Sequence, residues 1–340
     1  MENNNDSGRA MMWKTRRATM TFHLSLFVLM TLSVFAFPRV GQSLEEVKIH
    51  VSGSASFNAM IFTIGEQKGY YKENNLTVLP IMASSQAGIQ GLLGGSFDAS
   101  QILGQSSAFI LRGAPLKIVM VFDTKPLFWL FGKKGIKTLA DLRGGKLVGV
   151  SSLGASTDQM TRELLAKSGI DPRRDVVIQG TGTGAVRMAA LLSGALDAAI
   201  VNPAERVVAK KHGLTELIFY GDQLETVAGG VSVTERMMAE KSDYLRRFLR
   251  GTLQAFLWLR ANQGEAVAMM AKEAKISPAD SLEIYKATME VFTQDGTMPK
   301  DTQQRIIGFQ KNQLKIEKEI PPEQVYDFRM LQSLLHEVNK

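Results

Sequence analysis

Two stretches about a hundred residues apart carry the same order of apolar and polar positions. LLGGSFDASQ (92–101) and LLSGALDAAI (191–200) each run from paired leucines through a glycine to an aspartate and an apolar segment. A helix that ends on glycine, where a left-handed C-cap is favourable, followed by a turn into a buried strand, produces this pattern. We therefore interpret Asp98 and Asp197 as turn and capping residues.

The repeat extends well beyond these ten residues. Short apolar runs predict strands at 47–51 and 76–83 in the first copy and at 146–150 and 175–179 in the second. Helical periodicity follows each strand, so each copy has the order β-α-β-α-β, which is typical of a parallel sheet with helices on both faces. A period this long is a whole domain, because stacked repeats have periods of roughly 20–50 residues. The sequence predicts an α/β fold with two similar lobes.

The remaining segments divide the chain between these lobes. We predict lobe 1 in residues 44–124 and 223–340 and lobe 2 in residues 125–222, with a hinge near 122–128 and 220–228. From residue 236 onward the apolar residues recur at helical spacing, and these helices are expected to complete lobe 1.

The first 43 residues have the features of an export signal. Basic residues precede an apolar run at 24–36, which is shorter than the roughly 20 residues needed to span a bilayer. We predict a signal peptide cleaved after about residue 36 or 43; an uncleaved anchor remains the alternative. The chain has no cysteine, which excludes disulfides and a lipid-modified cysteine. A periplasmic protein that is not a lipoprotein is expected.

Charge and motifs argue against several classes of function. Part of the net charge of +7 lies in residues 1–43 and the rest is spread along the chain without a basic stripe, so no nucleic-acid partner is expected. The segment 180–185 satisfies G-x-G-x-x-A, but the acidic residue required after the next strand is missing, and no cofactor is expected. The histidines are far apart, so neither a metal site nor a catalytic site is predicted. The expectation is a protein that is not an enzyme.

Polar loops follow the predicted strands of both lobes. In open parallel sheets ligands bind beyond the carboxyl ends of the strands, where helix N-termini offer free N–H groups. Arg187 and Glu205 are the charged residues expected near these loops, and Phe128 and Trp129 are either stacking residues or, more simply, buried strand residues. The predicted ligand-binding residues are Ser54, Ser56, Phe57, Asn58, Ser84, Ser85, Gln86, Gln105, Ser106, Ser152, Gly154, Ala155, Ser156, Thr157, Thr181, Thr183, Gly184 and Asn202.

Several motifs give the chain a family resemblance over about residues 45–270. They are Gly69-Tyr70-Tyr71, Gly113-Ala114-Pro115-Leu116, the paired Leu-Leu-Gly-Asp segments and above all GIKTLADLRG at 135–144. With them the chain resembles the periplasmic solute-binding proteins of nitrate/sulfonate/taurine-type and thiamine-pyrimidine-type ABC importers. The resemblance implies a two-lobed type II periplasmic-binding fold with a ligand between the lobes and an ABC permease of the inner membrane as partner.

The resemblance implies the binding component of an importer that captures a small polar or anionic solute: a sulfonate, a carboxylate, a nitrate-like anion or a pyrimidine. An extracytoplasmic sensor module is the alternative. A pyrimidine-precursor synthase-like enzyme shares the fold but relies on a histidine and a cysteine cluster, and this chain has no cysteine. A LysR-type effector domain would need a DNA-binding helix-turn-helix where this chain has its export signal.

Overall fold

The computed structural model describes residues 43–51 and 56–338. The export signal predicted in residues 1–43, except Ser43, and the predicted ligand residue Ser54 lie outside the described residues. The strands are β1 (Glu45–Val51), β2 (Leu76–Met82), β3 (Ala99–Ile102), β4 (Leu116–Val121), β5 (Trp129–Gly132), β6 (Lys146–Val150), β7 (Val176–Gly180), β8 (Ala198–Val201), β9 (Thr215–Phe219) and β10 (Gly229–Thr234).

Helices connect these strands and form the C-terminal third of the chain. They are α1 (Phe57–Gln67), α2 (Tyr70–Glu73), α3 (Ser85–Gly94), α4 (Leu103–Leu111), α5 (Ser156–Lys167), α6 (Gly184–Ser193), α7 (Pro203–Lys211), α8 (Glu235–Glu240), α9 (Ser242–Ala261), α10 (Gln263–Ala274), α11 (Pro278–Val291), α12 (Lys300–Leu314), α13 (Pro322–Val325) and α14 (Arg329–Val338). Among the described residues, no helix combines the length and the apolarity needed to cross a membrane.

The strands form two five-stranded mixed sheets of matching design. Their orders are β2-β1-β3-β10-β4 and β7-β6-β8-β5-β9. In each sheet the fourth strand, β10 or β5, runs antiparallel to both of its neighbours, and the three preceding strands are parallel. Each of these antiparallel strands is the first strand after the chain has crossed from the other sheet. The α/β class with helices on both faces agrees with the sequence prediction.

The duplicated Leu-Leu-Gly-Asp segments have the same structure in both lobes. Helices α3 and α6 end on Gly95 and Gly194, whose φ angles of 81° and 80° lie in the left-handed region that favours glycine. The next aspartate then binds the first strand of its own copy of the repeat, β1 or β6. Asp98 Oδ2 accepts from Lys48 N at 2.9 Å, and Asp197 Oδ2 accepts from Leu147 N at 2.8 Å. Both aspartates lie in the predicted turn, and each carboxylate joins that turn to a neighbouring strand.

Apolar side chains fill the space between the sheets and the helices. The largest cluster packs α1 and α9 on the first sheet, with Phe62, Phe248 and Phe256 fully buried. Helix α11 begins after Ser277, which caps it, and Pro278 occupies its first position, where the missing N–H has no cost. Helix α11 packs beside α7, so a helix of the C-terminal region contacts the second lobe.

Candidate ligand-binding cleft

The loops that follow the parallel strands lie at one edge of each sheet. In lobe 1 this edge holds the starts of α1 and α3. Ser56 and Ser84 are their N-caps, and each hydroxyl accepts the N–H of the residue three positions later, Ala59 and Ala87. Ser56, Ser84 and Gln86 are exposed, and Ser85 is half-buried. Four of the predicted ligand residues therefore line this edge.

Asn58 marks the deepest polar position of the lobe 1 edge. Its Nδ2 donates to Asp123 Oδ2 at 2.9 Å, and the backbone N–H groups of Ala228 and Gly229 donate to the same carboxylate at 2.9 and 3.1 Å. Asp123 is 3% exposed, and burial raises the pKa of its carboxyl to about 6 despite these donors. This aspartate ties α1 to both crossings between the lobes. In the sequence its only signal is a lone acidic residue in the apolar segment 119–132.

Two predicted ligand residues of lobe 1, Phe57 and Ser106, have side chains buried in the core. Phe57 is 2% exposed and packs edge-on against Tyr285, with ring centroids 5.4 Å apart. Ser106 is fully buried, where its hydroxyl donates to Ile102 O at 2.8 Å and bonds Ser232 Oγ at 2.7 Å. Both positions follow a loop closely, but the helical turn directs their side chains inward. Gln105, one residue earlier on α4, is half-buried.

In lobe 2 the loop after β6 is held by its own side chains. Thr157 Oγ1 lies 2.6 Å from Ser151 Oγ and accepts from Ser151 N, and Asp158 Oδ2 accepts from Gly154 N at 2.8 Å. Thr157 is buried and stabilises the loop through its contacts with Ser151. The predicted ligand residues Ser152, Gly154 and Ser156 are exposed and Ala155 is half-buried.

The loop after β7 rests on a buried ion pair. Arg187 is 5% exposed, and its guanidinium donates to Gly182 O and Ile200 O at 2.8 and 3.1 Å. Its Nη2 lies 3.6 Å from Glu205 Oε2, while burial raises the pKa of the Glu205 carboxyl. Arg187 therefore supports the loop, and its charge is balanced by Glu205. Thr183 is exposed and Thr181 and Gly184 are half-buried.

Asn202 and Glu205 form the start of α7. Asn202 Oδ1 accepts from Glu205 N and Glu205 Oε2 accepts from Asn202 N, both at 2.9 Å, which is a reciprocal capping box. Gly184 lies against this carboxylate: a Cβ added there would be 1.4 Å from Glu205 Oε1. The glycine at 184 is thus required by packing.

The helix N-termini at the two loop edges differ in how they are capped. Ser56, Ser84 and Asn202 cap α1, α3 and α7 with their side chains. Ala155 and Thr183, the N-cap residues of α5 and α6, make no such bond. The first turns of α5 and α6 therefore keep backbone donors without a capping side chain, at the positive end of each helix dipole.

The crossings connect the two loop-bearing edges. At the lobe 1 edge, Gly229 pairs with the last residue of β3; at the lobe 2 edge, Trp129 pairs with the last residue of β8. The chain passes directly between these edges, and Thr226 N donates to Thr124 O within the crossings. Trp129 is 3% exposed and stacks on Phe219 at 4.9 Å, so it is a buried strand residue, and Phe128 is half-buried.

Two cavities lie beside the crossings. One of ≈ 1010 Å³ is bounded by Thr124, Glu225 and the C-terminal helices, and one of ≈ 500 Å³ lies between Trp129 and Glu283. None of the described candidate ligand residues lines either cavity. Within residues 43–51 and 56–338, no group of three or more His, Asp or Glu side chains is arranged to hold a metal ion.

The comparison with protein families is decisive for the class of the chain. The family model described as "NMT1/THI5 like" matches residues 56–266, well over half of the chain and nearly all of both loop edges. The chain belongs to the NMT1/THI5-like family. No curated protein matches the chain by sequence.

Solved structures show the fold of this NMT1/THI5-like chain. A periplasmic sulfonate-binding protein, SsuA, from Methylobacillus flagellatus KT aligns with a TM-score of 0.69 at 14% identity, covering 87% of this chain and 96% of that one. The alkanesulfonate-binding protein SsuA from Xanthomonas axonopodis pv. citri, bound to MOPS, gives 0.64 at 18% identity, covering 83% and 98%. A DszB mutant in complex with biphenyl-2-sulfinic acid gives 0.64 at 12% identity, covering 86% and 99%. At these identities the likeness establishes the periplasmic-binding-protein fold.

Proposed function

We propose that this chain is the periplasmic substrate-binding component of an ABC importer and captures a small organic anion between its two lobes. The observation that carries the proposal is the pair of loop edges, each built from strand ends and helix N-termini, between which both crossings of the chain run. Ligand contacts with both edges would offset the free energy of closing the lobes about the crossings. The closed form is then the one that an inner-membrane permease recognises.

The anionic character of the ligand follows from the donors at the edge of lobe 2. The starts of α5 and α6 offer N–H groups at the positive ends of two helices without side-chain caps. The neighbouring charges are balanced, because Arg187 faces Glu205 and Arg162 faces Asp158. Backbone N–H groups and hydroxyls therefore remain to bind carboxylate or sulfonate oxygens. The SsuA proteins of the same fold are named for binding sulfonates.

An enzymatic role has less support. The DszB structure contains a cysteine-to-serine mutant of a desulfurization enzyme, whereas this chain has no cysteine. His50 is fully buried in β1, where Ser100 Oγ lies 2.9 Å from its Nδ1, and burial lowers its pKa. It is a packing residue under the lobe 1 edge. A sensor module shares the same binding step and differs in the partner.

The first test is a binding screen of the mature protein by thermal shift and calorimetry against alkanesulfonates, aromatic sulfonates, carboxylates, nitrate and pyrimidines. We expect small organic anions to raise the melting temperature and to compact the protein in solution scattering. Anion uptake that is lost on deletion of the gene distinguishes transport from sensing. Binding of neutral pyrimidines alone would refute the anion assignment.

A pair of variants tests the helix N-terminus. Ala185 and Ala189 are both exposed on α6, in its first turn and one turn later. Ala185→Asp introduces a negative charge at the proposed anion position and should lower anion affinity at least about tenfold, while the helix dipole accommodates the charge. Ala189→Asp is the matched control and should have a much smaller effect. Equal effects of the two changes would place the anion elsewhere.

A further inference from the structure

Outside the cleft, the two lobes are joined by a cluster of ion pairs that we name the interlobe clasp. It comprises Arg206, Lys210 and Lys211 on α7 of lobe 2 and Asp280 and Glu283 on α11 of the C-terminal helices. Glu283 Oε1 lies 3.2 Å from Arg206 Nη1 and 2.5 Å from Lys210 Nζ. Asp280 Oδ2 lies 2.6 Å from Lys211 Nζ.

The clasp is more rigid than isolated surface ion pairs. The Arg206 guanidinium lies 4.4 Å from the centre of the Trp129 ring and donates to Glu216 through Nε at 2.9 Å, so its side chain is fixed before it meets Glu283. Asp280 sits in the first turn of α11, and the hydrogen bond from Lys211 holds the pKa of its carboxyl below the usual value. Preorganised networks of this kind contribute more than single exposed pairs.

Apolar packing beneath the clasp brings the same two helices together. Ala287 of α11 belongs to the apolar cluster that contains Trp129 of lobe 2. Val207 of α7 belongs in turn to the cluster that contains Ile284 of α11. The cavity of ≈ 500 Å³ beside these residues leaves room for the lobes to move against each other.

Both helices of the clasp lead to functional positions. Helix α7 begins at Asn202 in the cleft and ends at Lys211 in the clasp. Helix α11 begins beside Asp280 and ends at the crossings, where Thr124 N donates to Val291 O at 3.2 Å. A rotation of lobe 2 about the crossings therefore displaces one side of the clasp relative to the other.

The clasp is present in a structure whose loop edges are exposed and make no polar contact with each other. Among the described residues, no hydrogen bond or ion pair joins the loop edge of lobe 1 to that of lobe 2, and Ser84, Gln86, Ser152 and Thr183 are all exposed. Resting on the proposed function, we propose that the interlobe clasp stabilises the open arrangement of the lobes and thereby sets the affinity for the ligand. Because a ligand that binds the closed form must first break the clasp, its apparent affinity is the intrinsic affinity multiplied by the fraction of closed molecules.

The first experiment needs no ligand. Because the chain has no cysteine, Gln90→Cys on α3 and Ser193→Cys on α6, both at exposed positions, allow specific spin labelling across the cleft. Glu283→Gln and Lys210→Met should each increase the population of short interlabel distances in the ligand-free protein, Glu283→Gln more strongly because Glu283 faces two cations. Glu290→Gln, an exposed glutamate of α11 outside the clasp, is the control and should leave the distribution unchanged.

The second experiment measures the affinity for butane-1-sulfonate as the probe. Weakening the clasp should tighten binding roughly two- to fivefold in both variants. The two changes shift the net charge in opposite directions, so a simple long-range effect on an anion would tighten binding in Glu283→Gln and weaken it in Lys210→Met. That opposite response, or unchanged distances in both variants, would overturn the proposal. If no anion binds, the proposed function fails, and the distance distributions still decide whether the clasp holds the lobes open.

Discussion

The contact between Gly184 and Glu205 allows a quantitative prediction for the edge of lobe 2. In Gly184→Ala the new Cβ would overlap Glu205 Oε1 at 1.4 Å, so the carboxylate must move by about 2 Å to reach ordinary contact distance. This carboxylate has little freedom to move, because it accepts from Asn202 N at 2.9 Å and faces the buried Arg187.

The magnitude follows from the contacts that the displaced carboxylate loses. The capping-box bond is worth about 1 kcal/mol, and Arg187 would lose its counter-charge in a buried position, at a cost of about 2 kcal/mol because its two carbonyl acceptors remain. Alanine in place of glycine stabilises a helix by about 0.5–1 kcal/mol. We expect Gly184→Ala to lower the free energy of unfolding by about 2–3 kcal/mol.

Urea unfolding of four proteins tests this prediction. They are the parent, Gly184→Ala, Glu205→Ala and the double variant. In the Glu205→Ala background the overlap is absent, so Gly184→Ala should become neutral or slightly stabilising, a coupling of at least about 2 kcal/mol. If Gly184→Ala lowered stability equally in both backgrounds, the loss would come from the backbone and the packing argument would be wrong.

Three further changes test other parts of the structure. Burial raises the pKa of the Asp123 carboxyl to about 6, above its value in the unfolded chain, so protonation of Asp123 stabilises the folded state. This stabilisation is present at pH 4 and declines as the pH rises through 6. Asp123→Asn should remove about 3 kcal/mol of this decline in unfolding titrations between pH 4 and 8, and parallel profiles of parent and variant would refute the prediction. Ser106→Ala leaves Ser232 with one fewer buried partner and should cost about 1–2 kcal/mol in urea unfolding. Phe57→Ala should cost about 3–5 kcal/mol in the same assay, and ligand affinity measured well below the melting temperature should stay unchanged if Phe57 serves only the core.

The sequence predicted the architecture well because the fold depends on periodic apolar segments. The strand predicted at 146–150 has the same bounds in the structure, and Gly95 and Gly194 end their helices as the repeat indicates. The site was harder to predict, because position after a strand does not fix the direction of a side chain. Phe57 and Ser106 follow loops yet point into the core, since one turn of helix rotates successive side chains by about 100°.

Long-range partners account for what the sequence did not reveal. Asp123 contacts Asn58 and the segment at Ala228, which lie 65 and 105 residues away along the chain. No local sequence pattern predicts contacts over such separations. Arg187 lies near the loops, as the sequence indicates, but its partner Glu205 is supplied by the next helix of the same lobe, and the sequence alone did not reveal this pairing.

The order β2-β1-β3-β10-β4 has a consequence for the timing of assembly during synthesis. The first sheet lacks an inner strand until β10 has been made up to Thr234, whereas every strand of the second sheet precedes Tyr220. A chain made from its N-terminus can therefore complete the later lobe before the earlier one. We expect truncation at residue 222 to leave amides of β6 and β8 protected from hydrogen exchange and those of β3 and β4 unprotected, and protection of both sets would show that the first sheet closes without its inserted strand.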